Sequence, residues 1–261
     1  MGRLLAVANQ KGGVGKTTTA INLSASLAMM GRSVLAVDLD PQGNLTSGLG
    51  QRGKEATHGT VYDALTRQDP GLDLRPFILP TAIEKLSLIP ANRDLTGAEI
   101  ELVALARREE RLKSLLGSVR QSYDFIFVDC PPSLGLLTLN ALVAADAVLI
   151  PLNEYFALEG LADLIATLRR VRVGLNPTLD IDGVLLTMFD ERTNLGQQVA
   201  REVRSFFKHK VFQTTIPRNV RLAEAPSHGL PAALYDAKSR GAEAYVALAR
   251  EILERSATPA A

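Results

Sequence analysis

Short apolar runs of strand length alternate along the chain with longer stretches in which apolar residues recur at helical spacing. Leu4–Asn9 reads as a strand, followed by a glycine-rich turn and a helix over Thr17–Met30 that Gly31 ends. Val34–Asp38 is the next strand; a short helix near Val61–Leu65 and a strand at Leu86–Pro90 come after it. Leu95–Val119 carries Leu102, Leu105, Ala106, Leu112, Leu115 and Leu116 at spacing that predicts one long helix. Phe125–Asp129 reads as a strand buried on both faces, Leu136–Ala145 as a helix, and Ala147–Pro151 as a strand. A helix over Ala157–Gly174, a strand Ile181–Thr187, a helix Gln197–Phe207, a strand Val211–Thr214 and a closing helix over Arg240–Arg255 complete the pattern. Strand–helix alternation at this spacing predicts an α/β fold, a mostly parallel sheet with helices on both faces. No linker divides the chain, so residues 1–255 are expected to form one domain, with 256–261 as a frayed tail.

The turn after the first strand has a chemistry of its own. Lys11-Gly12-Gly13-Val14-Gly15-Lys16-Thr17-Thr18 stands between a strand and a helix, the context of a phosphate-cradling loop. Glycines let backbone N–H groups converge on phosphate oxygens, and the helix N-terminus adds partial positive charge. Lys16 is placed to reach the β- and γ-phosphates of a nucleoside triphosphate, and the Thr17 hydroxyl to ligate Mg²⁺; ATP is the expected nucleotide. The usual G-x-x-x-x-G-K-[ST] pattern is not met, because Gln10 holds the first glycine position and Lys11 adds a second lysine.

Two further strands end in acids. Val34–Asp38 leads into Leu39-Asp40-Pro41-Gln42-Gly43-Asn44, and ligands of open α/β sheets sit at that strand edge. Asp38 and Asp40 are two apart and project from one side if the strand persists; either is suited to orient a water or to hold a metal-bound one. Phe125-Ile126-Phe127-Val128-Asp129 has the Walker B arrangement, in which Asp129 accepts from a Mg²⁺-bound water or from the Thr17 hydroxyl. Cys130 beside it reads as an inert strand-end residue.

The variant loop, taken with these acid-ended strands, resembles the deviant Walker A ATPases, the family of ParA, MinD and the nitrogenase iron protein. The resemblance implies that Lys11 contacts phosphates bound by a partner subunit, that ATP is sandwiched in a homodimer, and that Gly12 must be small where two loops meet. It singles out Asp40 as the residue positioning the attacking water. Four segments look like the short chromosomal ParA (Soj) branch: Val37–Asn44, Asp129–Gly135, Glu154-Tyr155-Phe156-Ala157-Leu158-Glu159-Gly160 and Ile216–Pro226. The same resemblance places Pro217, Arg218 and Asn219 near the adenine. It also matches Arg192 and Arg221 to positions that contact DNA without sequence preference.

Composition sorts the branches. One cysteine excludes the iron-protein branch, which needs two per subunit for its cluster, and fits a reducing cytosol. MinD ends in a basic amphipathic helix that lies on membranes. Here Tyr245, Leu248, Ala249, Ile252 and Leu253 form the stripe, but Glu243, Glu251 and Glu254 balance Arg250 and Arg255, which predicts core burial and no stable membrane association. The net charge of +1 carries no global nucleic-acid signal. Between Arg192 and Arg221, however, seven basic residues (Arg192, Arg201, Arg204, Lys208, Lys210, Arg218, Arg221) face one acid, Glu202. A solvated helix face accounts for such a run by charge alone; with the family resemblance it reads as a double-stranded DNA surface, Lys208 and Lys210 assisting. The resemblance therefore implies a slow, cytoplasmic, nucleoid-associated partition ATPase stimulated by a ParB-like centromere-binding protein. A membrane-positioning ATPase and a regulator touching a replication initiator remain as alternatives.

Overall fold

Parallel pairing of the apolar runs builds one sheet, and the chain's direction along it reverses beside the first strand. The computed structural model describes residues 2–54, 56–69, 71–153 and 159–257. Its strands are β1 (Arg3–Val7), β2 (Val34–Asp38), β3 (Leu79–Pro80), β4 (Leu86–Ile89), β5 (Phe125–Asp129), β6 (Ala147–Asn153), β7 (Asp180–Phe189) and β8 (Ile216–Pro217). They lie in the order β3-β4-β2-β5-β1-β6-β7-β8, and only the β3–β4 pair is antiparallel. From β1 the chain moves out through β2 to β4, returns at β5, and leaves on the other side through β6, β7 and β8. That reversal opens a crevice at the carboxyl ends of the central strands, where open α/β sheets place their ligands.

The helices are α1 (Lys16–Met29), α2 (Asn44–Gly48), α3 (Val61–Thr66), α4 (Leu95–Glu101), α5 (Arg111–Gly117), α6 (Leu136–Ala144), α7 (Glu159–Gly174), α8 (Asn194–Phe207), α9 (Val220–Glu224), α10 (Ala232–Tyr235) and α11 (Arg240–Ala257). Side-chain alternation divides the core in two. Leu4, Ala6, Leu35, Val37, Ile126 and Val128 pack against residues of α3–α8, among them Ala64, Leu95, Leu112, Leu142, Leu164 and Val203. Leu5, Val7, Val34, Ala36, Phe125 and Phe127 pack on the opposite face, against α1 and α11. Tyr245, Leu248, Ala249 and Ile252 are fully buried there, Leu253 packs beside them, and the Tyr245 hydroxyl pairs with Thr19 Oγ1 at 3.0 Å. The last helix thus commits its apolar stripe to the core, worth about 1.5–3 kcal/mol for each large side chain. Among the described residues no helix is long and apolar enough to cross a membrane.

Three expectations need correction. The single helix over Leu95–Val119 is α4, two 3₁₀ turns (Leu102–Ala104 and Arg108–Glu110) and α5. Leu105 is extended and Arg107 lies in the left-handed region at φ 52°. Helical periodicity survived the break because the sheet needs Leu102, Leu112, Leu115 and Leu116 buried whichever backbone delivers them. Asn140 of α6 secures the rejoined chain: its Oδ1 accepts from Leu112 N at 3.1 Å and its Nδ2 donates to the carbonyls of Arg108 (2.8 Å) and Leu136 (3.0 Å). The expected strand Val211–Thr214 makes only an isolated bridge between Val211 and Val184, and the true edge strand is Ile216–Pro217. Its backbone is diverted to α11, where Glu251 accepts from the N–H groups of Gln213 (2.8 Å) and Thr214 (2.9 Å). Finally, α11 runs through Ser256 to Ala257, and the Glu154–Leu158 part of the family-like segment lies outside the described residues.

Replacing Asn140 by Leu would leave the buried Leu112 N–H without its acceptor and remove the donor to the half-buried Arg108 C=O. We expect a loss of about 2–3 kcal/mol in urea unfolding; a loss below about 0.5 kcal/mol would show the bridge to be dispensable.

Candidate functional site

The loop leaves β1 and returns as α1 at the crevice. Gly13 (φ 71°) and Gly15 (φ 85°) hold left-handed backbone that a side chain would strain, which is why glycine stands at both. Three neighbouring strands fix the loop. Asn9, just past β1, donates from Nδ2 to the Pro151 carbonyl of β6 at 2.8 Å and accepts from Lys11 N at 3.1 Å. Thr187 of β7 donates to the Val14 carbonyl at 2.8 Å. Lys16 folds back across the loop, its ammonium donating to the Lys11 carbonyl at 3.0 Å. It is 7% exposed, and burial lowers its pKa against the upward pull of Asp129, Cys130 and Asp40. Gly12 and Gly13 form the exposed tip, and a Cβ on Gly12 would meet nothing of its own chain within 4 Å.

The two strand-end acids face each other across the β2–β5 register, Asp38 against Asp129, both without solvent exposure. Their surroundings differ. Asp38 Oδ2 accepts from Thr46 N (2.8 Å) and Thr46 Oγ1 (2.6 Å), and its Oδ1 from Asp40 N (3.2 Å). Burial nevertheless outweighs these bonds and pushes Asp38 up to about 6. Asp129 has no hydrogen-bond partner of good geometry on either oxygen among the described residues. Burial, then the proximity of Asp38, pushes its pKa well above the carboxylate range, with Thr17 and Lys16 pulling it back. The same burial, reinforced by Asp129, pushes the Cys130 thiol upward and keeps it unreactive. Strand geometry does not persist to Asp40. β2 ends at Asp38, and Asp40 enters a turn in which its Oδ1 accepts from Gln42 N at 2.9 Å. Thus Asp38 and Asp40 do not line one strand face; Asp38 braces the turn that carries Asp40.

An orphaned, fully buried carboxylate beside the Thr17 hydroxyl suits a cation. Among the described residues no group of three or more His, Cys, Asp or Glu converges to cage one. That donor set fits magnesium, which takes one or two protein oxygens and fills its octahedron with water and phosphate.

A cleft of about 700 Å³ opens beside the loop, walled by Thr17, Thr18, the Pro41–Asn44 turn, Arg52 and Arg93. A second cavity, about 600 Å³, lies across β7 and β8 and is lined by Phe189, Asp190, Arg192, Pro217 and Arg218. Because β7 carries both Thr187, bonded to the phosphate loop, and Phe189, paired with Pro217, one strand ties the Pro217–Asn219 segment to the loop. Asn219 itself caps α9, accepting from Arg221 N at 2.9 Å. Arg192 and Arg221 are exposed, and each is paired: Arg192 with Asp190, Arg221 with Glu224 and Asp236. Lys208 is exposed, whereas the Lys210 ammonium is engaged by Asp180 (2.6 Å) and the Ile181 carbonyl (2.8 Å).

Sequence reasoning missed Asn9, Thr46 and Thr187. A signal existed for one of them: Asn9 is the polar end of the otherwise apolar run Leu4–Asn9, whereas Thr187 lies inside β7, a strand that also carries Asp180 and Asp182. Thr46 carried none, since its Oγ1 joins three distant pieces by donating to Asp38 and accepting from Ala91 N at 3.0 Å.

A family model described as an AAA domain, AAA_31, matches residues 2–181. The chain is 57% identical over 253 residues to the sporulation initiation inhibitor protein Soj of Bacillus subtilis, covering 97% of this chain and 98% of that one. It is 56% identical over 256 residues to the chromosome partitioning protein ParA of Myxococcus xanthus, covering 98% and 89%. Among solved structures, cobyrinic acid a,c-diamide synthase from Mycobacterium smegmatis, with bound ATP analogue and magnesium, superimposes with a TM-score of 0.84. It is 37% identical and covers 100% of this chain and 98% of its own. The cell division ATPase MinD of Pyrococcus furiosus gives a TM-score of 0.79 at 28% identity, covering 98% and 100%.

Thr187→Val keeps the packing against Gly15 but removes the donor to Val14, whose carbonyl would then be unpaired. At about 0.5–1.5 kcal/mol for the bond, we expect nucleotide affinity to fall roughly 2- to 12-fold in a titration with a fluorescent ATP analogue. Unchanged affinity would remove Thr187 from the site.

Proposed function

Because this chain belongs to the ParA/Soj family of chromosome-partitioning ATPases, we propose that it is an ATP-dependent, DNA-holding partition switch. Mg²⁺–ATP binds on Lys11–Thr18, two subunits close over it, and the dimer holds double-stranded DNA without sequence preference. Hydrolysis, stimulated by a ParB-like partner, lets the DNA go. The observation that carries this reading is Asp129: a fully buried carboxylate with no hydrogen-bond partner of good geometry among the described residues, beside the loop lysine and threonine.

In this reading Lys16 binds the β- and γ-phosphates, and its existing reach across the loop to the Lys11 carbonyl supports that role. Thr17 and Asp129 would hold magnesium here; Asp38 acts from behind, by bracing the turn. When bound, magnesium neutralises charge on the phosphate oxygens. Asp40, at the turn beside the loop, orients the attacking water. Lys11 serves the nucleotide of the opposite subunit. The open space at Gly12 supports that arrangement, since nothing in the chain itself demands a glycine there. Hydrolysis is slow in one subunit because the transition-state charge awaits the partner's lysine. The Pro217–Asn219 segment meets the base; its tie through β7 to the phosphate loop supports this.

DNA is held by the exposed arginines Arg192 and Arg221, with Lys208 assisting; Lys210 contributes less, being engaged by Asp180. A dimer doubles the footprint, which lets a chain of net charge +1 grip a polyanion only when ATP-bound. A membrane-surface role has less support, because the apolar face of α11 is inside the core.

Retention on nonspecific duplex DNA is expected with ATP and not with ADP, and to weaken with salt by a log–log slope of roughly −0.9 per phosphate neutralised. Arg192→Ala and Arg221→Ala should each reduce it; equal retention in every state would sink the reading. Asp40→Ala is expected to give a dimer that persists in ATP, monitored by size-exclusion chromatography. Rapid ADP release from that variant would take Asp40 out of its assigned role.

A further inference from the structure

The two arginines assigned to DNA are clasped by carboxylates of their own chain. Arg192 donates from Nε and Nη2 to Asp190 at 2.9 and 2.7 Å. Arg221 is held twice: Nη1 donates to Glu224, one helical turn on, at 2.7 Å, and Nε lies 3.2 Å from Asp236, which caps the end of α10. Arg201, Arg204 and Lys208, in the same basic window, form no ion pair among the described residues. The clasp at Arg221 is the more consequential. One guanidinium stands against two carboxylates, so its donors are already engaged at the point where a phosphate is to land.

We propose that Glu224 and Asp236 mask Arg221 and so determine the affinity threshold for DNA, a proposal that rests on the DNA-holding reading above. The carboxylates and a DNA phosphate compete for the same guanidinium donors. Arg221, Glu224 and Asp236 have side chains 45%, 39% and 37% exposed, so the clasp is open to solvent and weak enough for a polyanion to displace. A single subunit meets the phosphate with a masked arginine. A dimer presents two such footprints together, and displacement at both is driven by the summed counterion release. The acids thereby hold the lone subunit below useful affinity while leaving the dimer above it.

The test is fluorescence anisotropy on a short duplex of random sequence, with the full chain in ATP, in ADP and without nucleotide. Variants are Glu224→Gln, Asp236→Asn and the pair together, each also made with Arg221→Ala. Unmasking is expected to tighten Kd roughly two- to five-fold per subunit, with DNA-free ATP hydrolysis and circular dichroism unchanged. The gain should appear in the ADP state as well as with ATP, and Arg221→Ala should erase it. Unchanged or weaker binding by folded variants overturns the proposal, weaker binding meaning that the acids position Arg221 instead. A gain that survives Arg221→Ala overturns it too, since it would then be a net-charge effect. If wild type binds and the variants do not differ, the mask alone falls. If neither binds in any state, the DNA reading falls and takes the mask with it.

Discussion

Two carboxylates buried side by side at the ends of adjacent parallel strands are the constraint on which the rest of the site depends. Register places Asp38 opposite Asp129, and neither touches solvent. Burial and mutual repulsion both favour their neutral forms. The chain answers the two problems differently. For Asp38 it supplies three donors, Asp40 N from the adjoining turn and Thr46 N and Oγ1 from α2, which converts an electrostatic liability into a brace for Asp40. For Asp129 it supplies only proximity to Lys16 and Thr17, with no hydrogen bond of good geometry to either oxygen among the described residues. An unpaired buried acid is retained at a cost in stability, and such a cost at a strand edge marks a place where something else completes the structure.

The neighbouring strands work as a mount for the loop between these acids. Asn9, just past β1 and itself anchored to Pro151 on β6, and Thr187 on β7 hold different points of it through single hydrogen bonds. Continuity of β7 then couples the loop to Pro217 on β8, at the sheet's edge. The tip of the loop is treated oppositely. Gly12 and Gly13 are exposed and Gly12 is unopposed, so the part held most firmly is the part that faces inward. The outer surface is organised by pairing instead of burial: the exposed arginines Arg192 and Arg221 carry acids of their own.

The amino-acid sequence by itself determined the strands β1, β2, β5 and β6, the glycine-lysine loop and its acids, because each is written in contiguous residues with a period or a motif. It also determined that the stripe on the last helix belongs to the core, since its opposite face carries balanced charge. Contacts between distant residues were left to the tertiary structure. The break at Arg107 is invisible to periodicity because burial against the sheet preserves the spacing, and its fastener, Asn140, lies on another helix. The strand expected at Val211–Thr214 failed because Glu251, far along the chain, takes its N–H groups. By spacing alone Asp38 and Asp40 looked equivalent and only the family resemblance favoured Asp40; the turn at Asp40 and the donors from Thr46 supply the physical difference between the two. Which charges are available on a surface is likewise decided by partners that proximity in sequence does not name, as Asp180 does for Lys210 and Asp236 for Arg221.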